Sequence, residues 1–384
     1  MNDTMIERAP RRLRAGIVGG GRGAFIGSVH RLAAELDGEA QVVAGALSSD
    51  PQVASESAAA WFLERSYASY EAMAAGESTA AKGIDFVIIA TPNDLHCPVA
   101  KRFLAAGIHV VCDKPLALSV REGEELAQLV ESGTALFALT HNYTGHPAVR
   151  QARHMVSAGE LGEIRKVMVE YCQDWLMEPL ESRGNKQAAW RTDPARAGAG
   201  GCIGDIGSHA ANLVEFVTGS EIEAVCADLS AFVPGRRLDD DANVLVRLAS
   251  GGKGSLVCSQ VACGEENRLA LRVYGSRAGL EWHQEEPNTL HYKPAGAPWE
   301  RLRAGQAYLS AAARMASRLP PGHPEGYLEA FANLYRSFIQ DVRRTQRGEA
   351  PLRDYPQVRE GLRGLRFIAG AVESARAGSV WVRL

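Results

Sequence analysis

Apolar runs and amphipathic stretches alternate regularly through the first third of the chain. Leu13–Val18, Gln41–Leu47, Ile84–Ala90, Ile108–Val111 and Ala135–Thr140 are short runs rich in β-branched residues, as expected of strands covered on both faces. Between them the polar positions recur with helical spacing. Ser28–Leu36 places Val29, Leu32, Ala33 and Leu36 on one face, and further helices are predicted from Gln52, around Tyr70–Ala75, over Pro98–Ala106 and over Val120–Ser132. Strand–helix units punctuated by glycine and proline predict a doubly wound α/β unit with a parallel sheet over residues 13–145.

Past Pro147 the rhythm changes. A helix over Ala148–Ala158 precedes Ile164–Tyr171, where apolar and polar residues alternate as in a half-buried strand. Strands are also predicted at Ile222–Leu229, Ala242–Leu248, Gly254–Cys258, Leu269–Tyr274 and Gly279–Trp282, separated by glycine turns. Residues 146–384 therefore read as an α+β unit with an open-faced, mostly antiparallel sheet. Pro294–Pro324 reads as a polar excursion, and Glu325–Arg343 and Val358–Ala375 as amphipathic helices.

Composition narrows the function. A formal charge of −3 provides no basic footprint for nucleic acid or an anionic membrane surface, so small-molecule chemistry is expected. No run approaches a membrane span. The seven cysteines form no C-x-x-C pair, and their scatter suits reduced thiols in the cytoplasm and no metal site. Residues 1–12 read as a disordered leader: Arg11-Arg12 lacks the uninterrupted apolar segment and cleavage site of an export signal.

Three stretches carry candidate chemistry. The first strand enters Gly19-Gly-Gly-Arg-Gly-Ala-Phe-Ile-Gly27 and then a helix, the context in which glycines let a backbone approach a dinucleotide pyrophosphate. Gly19, Gly21 and Gly27 are its candidate positions, and Ser48 stands where a ribose-binding carboxylate is usual. The second stretch is Gly107–Leu116, where Pro115 ends a strand and presents Asp113 and Lys114 at its carboxyl edge. Thr91-Pro92-Asn93 and His141-Asn-Tyr143 end neighbouring strands and would share the crevice. The third combines Trp190-Arg191, a glycine run and Asp205-x-x-x-His209. On a helix, Asp205 and His209 share a face, suiting a general acid/base with a carboxylate nearby. Each has a plainer reading: Lys114 as a solvated strand cap, Asp205 as a helix N-cap, His209 as a core histidine, and Trp190-Arg191 as packing.

The D-K-P at Lys114, the D-x-x-x-H at Asp205 and His209, Thr91-Pro92-Asn93 and W-R before a glycine loop occur together in order. The combination resembles the glucose–fructose oxidoreductase/inositol dehydrogenase (Gfo/Idh/MocA) family, over nearly the whole chain from Leu13 to about Ala375. The resemblance implies a nicotinamide-dependent oxidoreductase of CH–OH groups in sugars, inositols or related polyols. It also implies a Rossmann domain and a second sheet that mediates homodimers or homotetramers. Lys114 would hold the reacting hydroxyl and orient the nicotinamide, His209 would be the acid/base, and Asp205 its partner. Thr91, Pro92, Asn93, His96, Asp113, Trp190 and Arg191 would border the cofactor, NAD or NADP with NAD favoured. Asn142 and Tyr143 would meet substrate, and Gln173, Asp174, Trp175 and Arg191 are candidate pocket residues on the second unit, because a sugar site wants aromatic faces and bidentate polar groups. The chain departs from the family in Asp113 (usually Glu), in a longer glycine loop and in Ser48. A glycoside-cleaving enzyme that recycles tightly bound NAD and a non-catalytic sensor are the other expectations.

Overall fold

The apolar runs of the first third become the centre of a six-stranded parallel sheet. The computed structural model describes residues 11–384; the predicted leader, apart from Arg11 and Arg12, lies outside them. Arg11 forks onto the Asp85 carboxylate at 2.6 and 2.8 Å. Strands β1 (Leu13–Gly19), β2 (Ala40–Ala46), β3 (Arg65–Ser66), β4 (Phe86–Ala90), β5 (His109–Cys112) and β6 (Phe137–Leu139) lie in the order β3-β2-β1-β4-β5-β6. All pair in parallel. Phe86 to Ile89 are completely buried, which explains why β4 has no polar face. The strand order reverses between β1 and β4, so a crevice opens outside their carboxyl ends.

The connecting helices are α1 (Phe25–Glu35), α2 (Pro51–Ala60), α3 (Tyr70–Thr79), α4 (His96–Ala105) and α5 (Val120–Ser132). Helix α1 starts three residues before the predicted Ser28, because the glycine loop closes directly onto its first turn. The two-residue β3 is too short to leave a periodic signal.

The second sheet contains β7 (Ile164–Cys172), β8 (Ile222–Ser230), β9 (Asp241–Leu248), β10 (Lys253–Ser259), β11 (Arg268–Gly275), β12 (Ala278–His283), β13 (Thr289–Pro294), β14 (Glu300–Arg303) and β15 (Val382–Arg383). Their order is β14-β13-β12-β11-β7-β10-β9-β8-β15, and only β7 and β10 pair in parallel. In β9, Ala242, Val244, Val246 and Leu248 are buried while Asn243, Leu245 and Arg247 are exposed. One sheet face therefore builds the core, as the alternation predicts.

The remaining helices are α6 (Pro147–Ser157), α7 (Lys186–Arg191), α8 (Pro194–Ala197), α9 (Ser208–Thr218), α10 (Ala311–Met315), α11 (Tyr327–Gln346) and α12 (Val358–Arg376). The predicted polar excursion Pro294–Pro324 instead carries β14 and α10, short elements at the sheet margin.

Helix α11 returns to the first sheet: Phe331, Tyr335 and Phe338 pack in one core with Ile17, Phe86 and Ile88. Phe338 meets Phe86 edge-on at 5.5 Å, a favoured aromatic geometry. Helix α12 bridges the sheets. Its Val358 and Leu365 join the core below β5, and Phe367, Ile368 and Ala371 join the core of the second sheet. These two helices hold the crevice of the first sheet against the second.

Candidate active site

Lys114 follows the end of β5, and Asp205 sits in a five-residue π-helical turn, Ile203–Gly207, that leads into α9. Such widened turns occur often at functional sites. The Lys114 ammonium donates to Asp205 Oδ1 at 2.7 Å and also reaches the Asp205 carbonyl oxygen. Asp205 Oδ2 accepts from Arg191 Nε at 3.2 Å and Gln260 Nε2 at 2.9 Å. Burial pushes the Asp205 pKa up, but Lys114, then Arg191, and the hydrogen bonds outweigh it and hold the group well below the usual carboxylate range.

His209 is 9% exposed and lies in an aromatic cage. His141 and Tyr143 stand edge-on to it at 5.3 and 5.0 Å, and Tyr171 lies at 6.3 Å. Burial, followed by the nearby Lys114 charge, pushes its pKa well below the ordinary histidine value. The ring is therefore unprotonated near neutral pH and able to accept a proton. Asp205 does not hydrogen-bond His209; its carboxylate faces Lys114, Arg191 and Gln260, which corrects the expected pairing.

Lys114, Asp113, Asn142, Tyr143, Trp175, Arg191, Asp205 and His209 line one cavity of about 560 Å³. Its second-sheet wall is a network of amides and phenols. Tyr171 donates to Asn267 Oδ1 at 2.8 Å, Gln173 Nε2 donates to the same oxygen at 2.7 Å, and Trp175 Nε1 donates to Gln173 Oε1 at 3.2 Å. The Tyr143 and Tyr171 hydroxyls are 2.5 Å apart. The Asn142 Nδ2 is buried without a protein partner, a donor free for a bound molecule.

The glycine loop fits a dinucleotide. Gly19 and Gly20 have φ of +79° and +75°, conformations glycine adopts without strain. A Cβ on Gly27 would lie 2.3 Å from Gly20 Cα, so loop and helix touch backbone to backbone. Ala24, at the N-cap of α1, supplies no side-chain hydrogen bond. The first amide groups of the helix are therefore left for an anion such as a pyrophosphate. Gly21 packs beneath Leu47, where a Cβ would lie 2.7 Å from the carbonyl oxygen.

Several expected contacts fall elsewhere. His96 is completely buried, with Nδ1 2.6 Å from the Pro115 carbonyl oxygen and Nε2 3.0 Å from that of Thr91. It braces two strand ends and cannot touch a cofactor. Asp174 turns away from the cavity to accept from the Gly264 backbone N–H at 3.2 Å. Trp190 does not line the cavity; its ring lies under the Arg191 guanidinium at 4.2 Å. Asn93 donates to the Ala197 carbonyl at 3.1 Å, tying its strand end to α8, beside Thr91 and Pro92. Ser48 Oγ accepts from the Asp50 backbone N–H at 3.1 Å, and Asp50 caps α2.

Sequence reasoning missed Tyr171, Gln187, Gln260, Asn267, Tyr327 and Phe25, which touch the cavity or its charged groups. Isolated amides and aromatics scattered over helices, a strand and bends carry no motif. The length of the glycine loop was a usable signal for Phe25, which projects 69% exposed from its end.

A nucleotide cradle facing a Lys–Asp–His cavity defines a two-unit, cofactor-dependent oxidoreductase. Residues 13–141 match the oxidoreductase family with an NAD-binding Rossmann fold, and residues 149–281 match the GFO/IDH/MocA C-terminal domain. An uncharacterized oxidoreductase, YfiI of Bacillus subtilis, is 33% identical over 378 residues, 96% of each chain. The crystal structure of an oxidoreductase from Sinorhizobium meliloti is 45% identical with a TM-score of 0.88, covering 97% of this chain and 100% of that one. An inositol dehydrogenase homolog from Azotobacter vinelandii, complexed with NADH and myo-inositol, is 35% identical with a TM-score of 0.91, covering 97% and 98%. The chain belongs to the Gfo/Idh/MocA family of NAD-binding oxidoreductases.

Proposed function

We propose that this protein is an NAD-dependent dehydrogenase that oxidises a secondary hydroxyl of an uncharged cyclic polyol or sugar. The observation that carries the reading is the meeting of Lys114, Asp205 and His209 in one cavity in which Lys114 and Arg191 both engage Asp205. Lys114 and Arg191 share the one Asp205 carboxylate, and the carboxylates of Asp113 and Glu266 also line the cavity, so the lining carries no surplus of positive charge to hold a phosphate or carboxylate on the substrate. Neutral hydroxyls suit the amide and phenol donors of Asn142, Gln173, Tyr143 and Asn267.

Gly19, Gly21 and Gly27 with the start of α1 would hold the pyrophosphate, and Thr91, Pro92, Asn93 and Asp113 would border the nicotinamide half. At the ribose end, Arg22 reaches Glu56 at 2.8 Å, so its charge is already matched there, favouring NAD over NADP. When bound, the nicotinamide supplies the hydride acceptor. Lys114 donates to the substrate oxygen and stabilises its developing negative charge, while His209 accepts the hydroxyl proton. Asp205 keeps the ammonium aimed at that oxygen, and Trp175 offers an apolar face to the ring.

The outer face of the second sheet, where Leu245 is 52% exposed, would pair with a second copy. The free thiols suit a cytoplasmic setting. The testing experiment is a screen of uncharged and phosphorylated cyclic polyols and sugars with NAD and NADP, following reduced cofactor. Turnover of an uncharged polyol with NAD supports the reading; turnover confined to phosphorylated substrates overturns it. Nucleotide released only on denaturation, with glycoside cleavage and no net reduced cofactor, would favour the recycling enzyme.

A further inference from the structure

A buried run of polar groups leads to the cavity from behind. His30, on α1, is completely buried. Its Nδ1 lies 2.7 Å from the hydroxyl of Tyr335 on α11. Its Nε2 has no hydrogen-bond partner and points toward Asp113, 3.7 Å from Oδ1. Phe331 and Tyr335 stand edge-on to the imidazole at 5.2 and 6.0 Å, so its plane is held on two sides. The same Asp113 oxygen accepts from the Lys114 backbone N–H at 3.0 Å and from Thr140 Oγ1 at 2.9 Å.

Packing alone does not account for this arrangement. A buried imidazole nitrogen without a partner is costly, and an apolar side chain would fill the space without that cost. Among the described residues, the acid within reach of the unpaired nitrogen is Asp113, whose carboxylate precedes Lys114.

We propose that Tyr335 and His30 form a positioning chain for Asp113 and, through it, for Lys114. The Tyr335 hydroxyl donates to Nδ1, which places the ring proton on Nε2, facing Asp113. The carboxylate, held from below, fixes the Lys114 backbone N–H and so the point from which the ammonium reaches Asp205 and the substrate oxygen. Because α1 begins at the glycine loop, the chain also couples the nucleotide cradle to Lys114. His30 and Tyr335 are buried and do not line the cavity, so they are positioning residues. The inference rests on the reading of Lys114 given above.

The first test is ¹⁵N NMR of protein labelled with ¹⁵N-histidine, with His30 assigned by the loss of its signals in His30→Gln. The expected result is a protonated Nε2 and an acceptor Nδ1, with that preference lost in Tyr335→Phe. A proton resting on Nδ1 would overturn the proposal. The second test uses myo-inositol and NAD. Tyr335→Phe and His30→Leu should lower kcat tenfold or more with both KM values within twofold, and His30→Gln should recover most of it. Lower thermal stability with unchanged kcat would make the chain a packing feature and overturn the proposal. If His30→Leu fails to fold, Tyr335→Phe, which keeps the ring, carries the kinetic arm; if myo-inositol is not turned over, the tautomer decides. The tautomer is read without turnover, so failure of the Lys114 reading and failure of this one are separately visible.

Discussion

Lys114 Nζ lies 2.7 Å from Asp205 Oδ1, a contact that joins the edge of the parallel sheet to the π-turn beneath the second sheet. Both side chains are mostly shielded, 12% and 18% exposed, and Arg191 approaches the other carboxylate oxygen. Removing the carboxylate charge leaves two cations facing each other in a partly dry cavity. We expect Asp205→Asn to lower turnover about 100-fold and stability by about 2 kcal/mol. Steady-state kinetics and denaturant titration measure the two losses separately.

Gly27→Ala should act on nucleotide binding. The new methyl would meet backbone, with Gly20 Cα at 2.3 Å and Gly20 carbonyl oxygen at 2.4 Å, so no side-chain rearrangement relieves it. The loop must move away from the helix N-terminus. NAD affinity, read by fluorescence titration, should fall at least about tenfold. Gly23→Ala meets nothing within 4 Å. Its strain comes from φ of +88° alone, so the loss of affinity should be smaller.

The buried His146 should make stability depend on pH. Burial pushes its pKa from the ordinary 6.5 down to about 3, so the unfolded chain binds a proton that the native chain refuses. The resulting stability is present above pH 6.5 and is lost as pH falls toward 3. Other groups contribute too: His141 acts in the same direction, and Asp239, raised to about 6 by burial, acts in the opposite one. A difference between variants isolates His146. Relative to wild type, His146→Leu should gain roughly 1–2 kcal/mol between pH 8 and pH 5, read as the change in their melting-temperature difference. A difference independent of pH would contradict this.

His96→Ala should act through the scaffold. It removes the group that reaches the carbonyls of Thr91 and Pro115 and leaves a cavity below two strand ends. A stability loss of about 2–4 kcal/mol is expected, with NAD affinity reduced less than in Gly27→Ala. Calorimetry and nucleotide titration make the comparison.

How much of this was legible in the chain depends on how local each signal is. Asp113 and Lys114 could be placed because a strand, its proline stop and the rule for open parallel sheets are all contained in ten residues. Asp205 and His209 could be paired by spacing, but not the orientation of the carboxylate, because the π-turn and its partners Lys114 and Gln260 come together only in three dimensions. His96 shows the same limit: its position beside Asn93 suggested the crevice, while both nitrogens turn inward to carbonyls. The amphipathic face of α11 was visible, but not that it packs against β1 and β4, since β1 lies more than 300 residues earlier in the chain. Asn267 and Gln260 left no trace, since a single amide in a bend has no period.

The central claim is that Lys114 holds the reacting oxygen while the nucleotide binds elsewhere. The most direct test measures turnover and NAD affinity together for wild type and Lys114→Ala, on a polyol that the wild type oxidises. The account requires turnover to fall about 1000-fold or more while NAD affinity stays within about threefold. Near-normal turnover in the variant, or a parallel collapse of NAD affinity, would contradict it.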